Sequence, residues 1–394
     1  MFVKRNHCIM KIASIQTGFP GKLFFLALIL LAVPARGQVV TFRGGASTML
    51  YDEKYFPGLY GEGISPVFPS FGARLGWQDL SGSPVAAFCN NPELGVGLQV
   101  DALAAYRTAQ SPGIGNIYSL YGYFDRSVIV AGPFSLGYTM GLGTGLSFKN
   151  LYGNNPANWL LSIPANVRIS LGLHAKVFVS KRFFVGAGAY FNHTSNGAVQ
   201  FPNRGVNAFE FSLLAGMNNR PETAPAPRED DGFRRRFVFE VQLTGGVMSN
   251  EAYFEHRLEK DGVWDNVHRL KWSLQGAALY QYSRMHASGL GADMFVTPFC
   301  DEIARYDGRD TAYTPVSVGI SILHEARYRN LALMVGLGRY LYDNDGLARN
   351  KKYYQLVNIR YHLPVLGGSF VGIVLKAHKF RAAESVQLSI GKRF

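Results

Sequence analysis

No apolar run in the 394-residue chain approaches the roughly 20 residues a membrane-spanning helix needs. The longest, Leu23–Val33, lies near the N-terminus. Charge is scarce: 17% of residues are charged, against roughly 25% in ordinary soluble proteins. Cysteine is scarcer, with three in all: Cys8, Cys89 and Cys300. None follows the apolar run closely enough to be lipidated, and Cys89 and Cys300 are too far apart in sequence to define a disulfide framework or a metal site. A helical membrane protein and an anchored lipoprotein are thereby excluded. A disordered chain is excluded by an aromatic content of 13%.

What is present is phenylalanine (28), tyrosine (21), glycine (44) and a net charge of +13. Lys4, Arg5, Lys11 and Lys22 precede the apolar run, and Ala35-Arg36-Gly37 ends it in small residues. Residues 1–37 therefore read as a secretory signal peptide. They hold five basic residues and no acid, so the remainder carries 13 − 5 = +8. A basic surface suits an anionic partner such as a phosphorylated lipid, and equally suits mere solubility.

Beyond residue 38 the dominant period is two. Phe237, Phe239, Val241, Leu243 and Val247 alternate with Arg236, Glu240, Gln242 and Thr244. Similar alternation runs through 331–338 and 371–378. Successive strand residues point to opposite faces, so each segment has one oily and one polar or small face. A soluble sandwich would alternate too, but segments near ten residues, abundant aromatics and an export signal favour a transmembrane barrel. The last segment, with Val386, Leu388, Ile390 and Phe394 in one parity, ends on an aromatic as outer-membrane strands do. The expectation is an all-β, antiparallel outer-membrane barrel with sixteen candidate strands, from 39–51 to 383–394, and a range of twelve to sixteen. A single barrel would span 38–394. With the C-terminus in the periplasm, the connections at 149–167, 196–205, 250–268, 298–312 and 343–351 face outward. One connection breaks the rule of short periplasmic turns: 219–234, which holds Pro221, Pro225 and Pro227.

The stretch that carries chemistry begins at Phe191-Asn192-His193-Thr194-Ser195-Asn196-Gly197 and continues through Pro202-Asn203-Arg204-Gly205 to Asn207. His193 and Ser195 continue the parity of Phe183, Val185, Ala187, Ala189 and Phe191, the lipid face. Asn207 shares parity with Phe209, Phe211 and Leu213, whereas Glu210 falls on the lumen side. A hairpin thus places His193, Ser195 and Asn207 on one outward surface. A serine hydroxyl becomes a useful nucleophile when a neighbouring base takes its proton, and histidine is the usual base. A third group must hold the imidazole in the right tautomer. Asn207 could do so through its amide oxygen, with Glu210 as a less favoured orienter. The turn between, with Asn196, Gly197, Asn203 and Gly205, can present amide donors to a developing oxyanion. Polar residues at a strand end also commonly mark the headgroup level of the membrane, so parity alone leaves both readings open.

The run His193-x-Ser195-Asn196-Gly197, followed by Pro202-Asn203-x-Gly205, resembles the signature of the PagL-type lipid A 3-O-deacylases, and the larger Bacteroidetes-type acyloxyacyl hydrolases in particular. The sharp match covers about 190–217, with weaker echoes at Gly72–Trp77, Pro92–Gly95 and Asn154–Asn155. The resemblance implies an enzyme of the bacterial outer membrane. Its site opens sideways to the outer leaflet and hydrolyses an acyl ester of lipid A in lipopolysaccharide. It implies His193 as base, Ser195 as nucleophile and Asn203 in the oxyanion hole. It departs at 207, where the small eight-stranded enzyme has a catalytic Glu and this chain has Asn. Residues 235–394 have no counterpart in that small enzyme. Arg204 and Lys149 could meet glycolipid phosphates. The alternative is a non-catalytic porin, transporter or structural barrel with a degenerate motif. No metal or nucleotide cofactor motif is evident: Asp343-Asn344-Asp345-Gly346 lacks the later Glu of a calcium loop, and His324-Glu325 is not a zinc motif. Nothing points to nucleic acid.

Overall fold

A computed structural model describes residues 37–394 apart from 51–66, 104–113, 151, 154, 156–157, 220–231, 264–265, 301, 303, 305–312, 346–351 and 379–381. Residues 1–36 of the expected signal segment, Asn154, the three prolines of the 219–234 connection and Gly346 lie outside the described residues.

Among the described residues sixteen antiparallel strands form: β1 Gln38–Met49, β2 Val67–Gln78, β3 Glu93–Asp101, β4 Ile117–Ala131, β5 Phe134–Ser147, β6 Ala165–Phe178, β7 Phe183–Ser195 and β8 Val206–Asn218, then β9 Arg236–Met248, β10 Arg269–Gln281, β11 His286–Val296, β12 Val316–Tyr328, β13 Leu331–Tyr342, β14 Tyr353–His362, β15 Ser369–His378 and β16 Ala382–Arg393. Among the described residues, two short α-helices interrupt the connections, α1 Pro84–Phe88 and α2 Glu251–Asp261. The Asn250 side chain caps α2 by accepting from the Tyr253 N–H, and Gly262 closes it in the left-handed conformation.

The alternation is realised with the oily face outward. Phe237, Phe239, Val241, Leu243 and Val247 are exposed, while Val238, Glu240, Gln242 and Thr244 are buried. The first eight strands repeat this: Phe183, Val185, Phe211 and Leu213 are exposed, and Tyr190, Asn192 and Glu210 are buried. In water such apolar walls would aggregate; facing lipid, they are the expected surface.

The strands do not close as the single sixteen-stranded ring expected from the sequence. β8 pairs back onto β1, from Val39↔Asn218 to Met49↔Ala208, and β16 pairs back onto β9. The result is two closed barrels of eight strands each. Parity fixes which face a residue takes but says nothing about which strand closes a ring, and eight strands already make an interior that side chains can fill. The long connection after β8, which broke the rule of short periplasmic turns, is where one ring ends and the next begins.

Both interiors are filled by paired polar side chains. In the first barrel Arg168 meets Asp101 at 2.5 Å, Lys176 meets Asp125 at 3.2 Å, and Arg43 stacks 4.4 Å over the Tyr190 ring. In the second, Arg360 meets Glu240 at 2.7 Å, Arg393 meets Glu325 at 2.6 Å, and Tyr354 donates to Asp293 at 2.6 Å. Buried charges of this kind persist only when partnered. The outer mouth of the first barrel is sealed by an apolar cluster, including Met49, Phe68, Ile117, Leu160, Leu161 and Val206. That seal is the floor on which the loop after β7 rests.

The barrels touch at both ends. At the periplasmic end Asp79, after β2, accepts from Tyr328 and pairs with Arg329 at 2.6 Å. At the outer end the Ser249 N–H donates to Ala198 O at 2.9 Å.

Candidate active site in the barrel wall

β7 and β8 form a hairpin in which His193 lies directly opposite Asn207. Pairing across a ladder brings such side chains within contact on one face, and Ser195 lies one pleat further along that face. His193 Nε2 is 2.7 Å from Ser195 Oγ, and His193 Nδ1 is 2.7 Å from Asn207 Oδ1. In the tautomer that makes both bonds, the serine hydroxyl donates to Nε2 and Nδ1–H donates to the carboxamide oxygen. The three residues parity placed together are therefore hydrogen-bonded in a row. His193 is half-buried and Ser195 is 6% exposed, so bulk water screens little of this array.

The turn from Asn196 to Gly205 covers Ser195. Its first residue is held from two sides: the Asn196 N–H donates to Asn203 Oδ1 at 3.2 Å, and Asn196 Nδ2 donates to Ser162 Oγ at 2.9 Å and Gln200 O at 2.8 Å. With its oxygen so engaged, the Asn203 carboxamide has its NH2 end directed elsewhere. Gly205 N donates to Leu160 O at 2.9 Å and Arg204 N to Trp159 O at 3.3 Å, tying the turn to the loop between β5 and β6. Asn158 shapes that loop, accepting from the Leu160 and Leu161 N–H groups at 3.1 and 3.0 Å.

Two glycines of the turn are required by geometry. Gly197 has φ +66, and a Cβ there would lie 2.5 Å from Val386 Cγ2 on β16 of the second barrel. Gly205 has φ +72, and a Cβ there would sit 3.1 Å from Ser195 Cβ and 3.3 Å from His193 Cε1. Both backbones thus approach closely what a side chain would push away.

Other expected residues fall elsewhere. Glu210 points into the first barrel, where it accepts from Asn192 at 2.8 Å and Gln99 at 3.1 Å and pairs with Arg43 at 3.5 Å. The sheet wall separates it from His193, so it does not orient the imidazole. Arg204 is paired with Glu251 at 2.9 Å and Glu255 at 3.4 Å on α2. Lys149 is exposed at the outer end. The sequence reading missed Ser162, Tyr152 and Asn266, whose polar contacts hold the turn from irregular segments. Irregular segments carry no periodic signal.

Two family models match the chain. Residues 71–215 match the model described as lipid A 3-O-deacylase (PagL), and residues 237–394 match the one described as acyloxyacyl hydrolase, C-terminal domain. The gap between them falls at the connection between the two barrels. Barrel walls facing lipid, together with these matches, define an outer-membrane hydrolase acting on an ester. The chain belongs to the PagL lipid A deacylase family.

No curated protein matches it. Among solved structures, Neisserial surface protein A aligns at 12% identity over 47% of this chain and 99% of its own, with a TM-score of 0.29. A porin mutant from Rh. blastica aligns at 7% identity over 91% and 99%, with a TM-score of 0.17. CdiB from Acinetobacter baumannii aligns at 8% identity over 91% and 60%, with a TM-score of 0.19. At such scores the architecture is better described by its own strand pairing.

Proposed function

We propose that this outer-membrane enzyme removes an ester-linked acyl chain from lipid A, or a related glycolipid, by a serine mechanism. The observation that carries the reading is the outward-facing row Ser195–His193–Asn207, with both imidazole nitrogens bonded at 2.7 Å.

Lipid reaches the site by lateral diffusion, so no channel through either barrel is needed. Ser195 Oγ attacks the acyl carbonyl carbon while its proton passes to His193 Nε2. The tetrahedral oxyanion accepts hydrogen bonds from the Asn203 carboxamide and the Gly197 N–H. The bond from carbon to the sugar oxygen then breaks, and His193 returns the proton to the departing sugar hydroxyl. An acyl-Ser195 ester remains. Water, giving a proton to His193, attacks that ester and releases the fatty acid and the free serine. Throughout, Asn207 accepts from Nδ1–H, which fixes the ring and its tautomer. As a neutral group it stabilises the imidazolium less than a carboxylate would. The alternative transport reading is not favoured by interiors filled with ion pairs.

The test is expression of wild type, Ser195→Ala and His193→Ala in a host outer membrane, followed by mass analysis of lipid A. Wild type should remove one acyl chain and both variants none. Unchanged lipid A with a folded wild type, or full activity of Ser195→Ala, would overturn the reading.

A further inference from the structure

The turn that covers Ser195 belongs to the first barrel, yet much of what holds it belongs to the second. Asn266, in the connection between α2 and β10, places its carboxamide alongside the backbone of Phe201. Its Oδ1 accepts from the Phe201 N–H at 2.8 Å, and its Nδ2 donates to Phe201 O at 2.8 Å. One side chain thus satisfies both backbone groups of a single residue, as a neighbouring strand would. The carboxamide is itself fixed: Ser249 Oγ donates to Oδ1 at 3.0 Å, and Nδ2 also donates to Tyr152 Oη at 2.7 Å. The Tyr152 hydroxyl donates to Phe201 O at 2.8 Å, closing a small ring of bonds. Phe201 lies two residues before Asn203.

Other contacts from the second barrel engage the same turn on both sides of that point. Ser249 N–H donates to Ala198 O at 2.9 Å, Glu251 and Glu255 hold Arg204, and Val386 lies against Gly197. Residues 197, 198, 201 and 204 are therefore pinned from across the seam between barrels, and Asn203 stands among them. The turn has no ladder of its own, and an unpinned surface loop opens at little free-energy cost. An oxyanion donor, by contrast, must be held within a fraction of an ångström.

We infer that Asn266 is a positioning residue for the reaction: the second barrel reaches across to lock the oxyanion turn over Ser195, so the working site is a composite of both barrels. This rests on the serine-esterase reading above. It gives the second barrel a part in the chemistry without placing any of its residues against the substrate.

The experiment measures kcat and KM for full-length wild type, Asn266→Ala, Asn266→Asp and Ser195→Ala on purified lipid A in detergent micelles. Folding is checked by the shift in gel mobility that closed barrels show on heating. Asn266→Ala should lose about tenfold to a hundredfold in kcat, the scale of an ångström-sized misplacement, with KM within about twofold of wild type. Asn266→Asp keeps the acceptor for Phe201 N–H but loses both donations and sets an anionic oxygen against Phe201 O, and should lose at least as much kcat as alanine. Should Asn266→Ala not fold, a folded Asn266→Asp with wild-type kcat overturns the inference. So does a folded Asn266→Ala with unchanged kcat, or one that changes KM alone. If Ser195→Ala remains active, the underlying reading fails; if it is inactive while Asn266→Ala matches wild type, only the composite site fails.

Discussion

Replacing Asn207 with alanine removes the acceptor for His193 Nδ1–H and leaves the β7–β8 ladder intact, since the pairing of 193 with 207 is made by backbone. The bond lost is 2.7 Å long. In the resting enzyme it joins two neutral groups, for which a net worth of about 1 kcal/mol is typical. In the transition state the imidazole becomes imidazolium, and a hydrogen bond to a charged group contributes roughly 1.5–3 kcal/mol. Only the difference, about 0.5–2 kcal/mol, acts on kcat, and at about 1.4 kcal/mol per decade of rate kcat for Asn207→Ala should drop about two- to thirtyfold. Asn207→Asp, which restores a carboxylate in nearly the same volume, should lose less than alanine or exceed wild type. Initial rates of fatty-acid release from lipid A micelles, on protein whose heat-dependent gel shift matches wild type, measure both. An Asn207→Ala rate equal to wild type, alongside an inactive Ser195→Ala, would show that the carboxamide does not orient the base.

Two further outcomes follow from the structure. Gly197→Ala places a side chain at positive φ, costing about 1–2 kcal/mol, against Val386. If that cost is expressed as displacement of the turn, activity should fall about five- to thirtyfold. Adding Val386→Ala should recover part of the loss, and an unaltered Gly197→Ala rate would contradict this. Burial pushes the Asp79 carboxyl up, but hydrogen bonds from Tyr328 and Ser81 and the Arg329 charge outweigh it and hold it below the ordinary range. A depressed folded value means stabilisation that is complete above the unfolded value of roughly 3.9 and lost as pH falls through the folded one. Thermal unfolding between pH 2 and 7 should therefore show Asp79→Asn less stable than wild type at neutral pH. The two should converge in acid, and parallel curves would refute the contact.

The lipid-facing wall was legible in the sequence because its code is local: alternate residues in Phe237–Val247 or Phe183–Phe191 declare their face without reference to anything distant. The hydrogen-bonded row Ser195–His193–Asn207 was legible for the same reason, since an i, i+2 pair and its hairpin partner need only parity and a short turn. Glu210 was correctly turned inward by that rule, and its bonds to Gln99 and Asn192 give the consequence. Ring closure was not legible. The choice between β8 returning to β1 and β8 continuing to β9 is made by non-local pairing, and alternation is identical in both. Arg204 drew a functional reading from charge alone, yet Glu251 and Glu255 claim it across a seam that one long barrel would not have. Asn266 was invisible for the same reason: its partner is a backbone 65 residues away, reached from a loop without period.

A serine mechanism requires Ser195 to be a nucleophile. Folded full-length protein incubated with an alkyl fluorophosphonate, then digested and mapped by mass spectrometry, reads this at a single atom. The label should sit on Ser195, and His193→Ala should suppress it strongly. An active protein that takes no label there, or takes it at another residue, would contradict a nucleophilic Ser195.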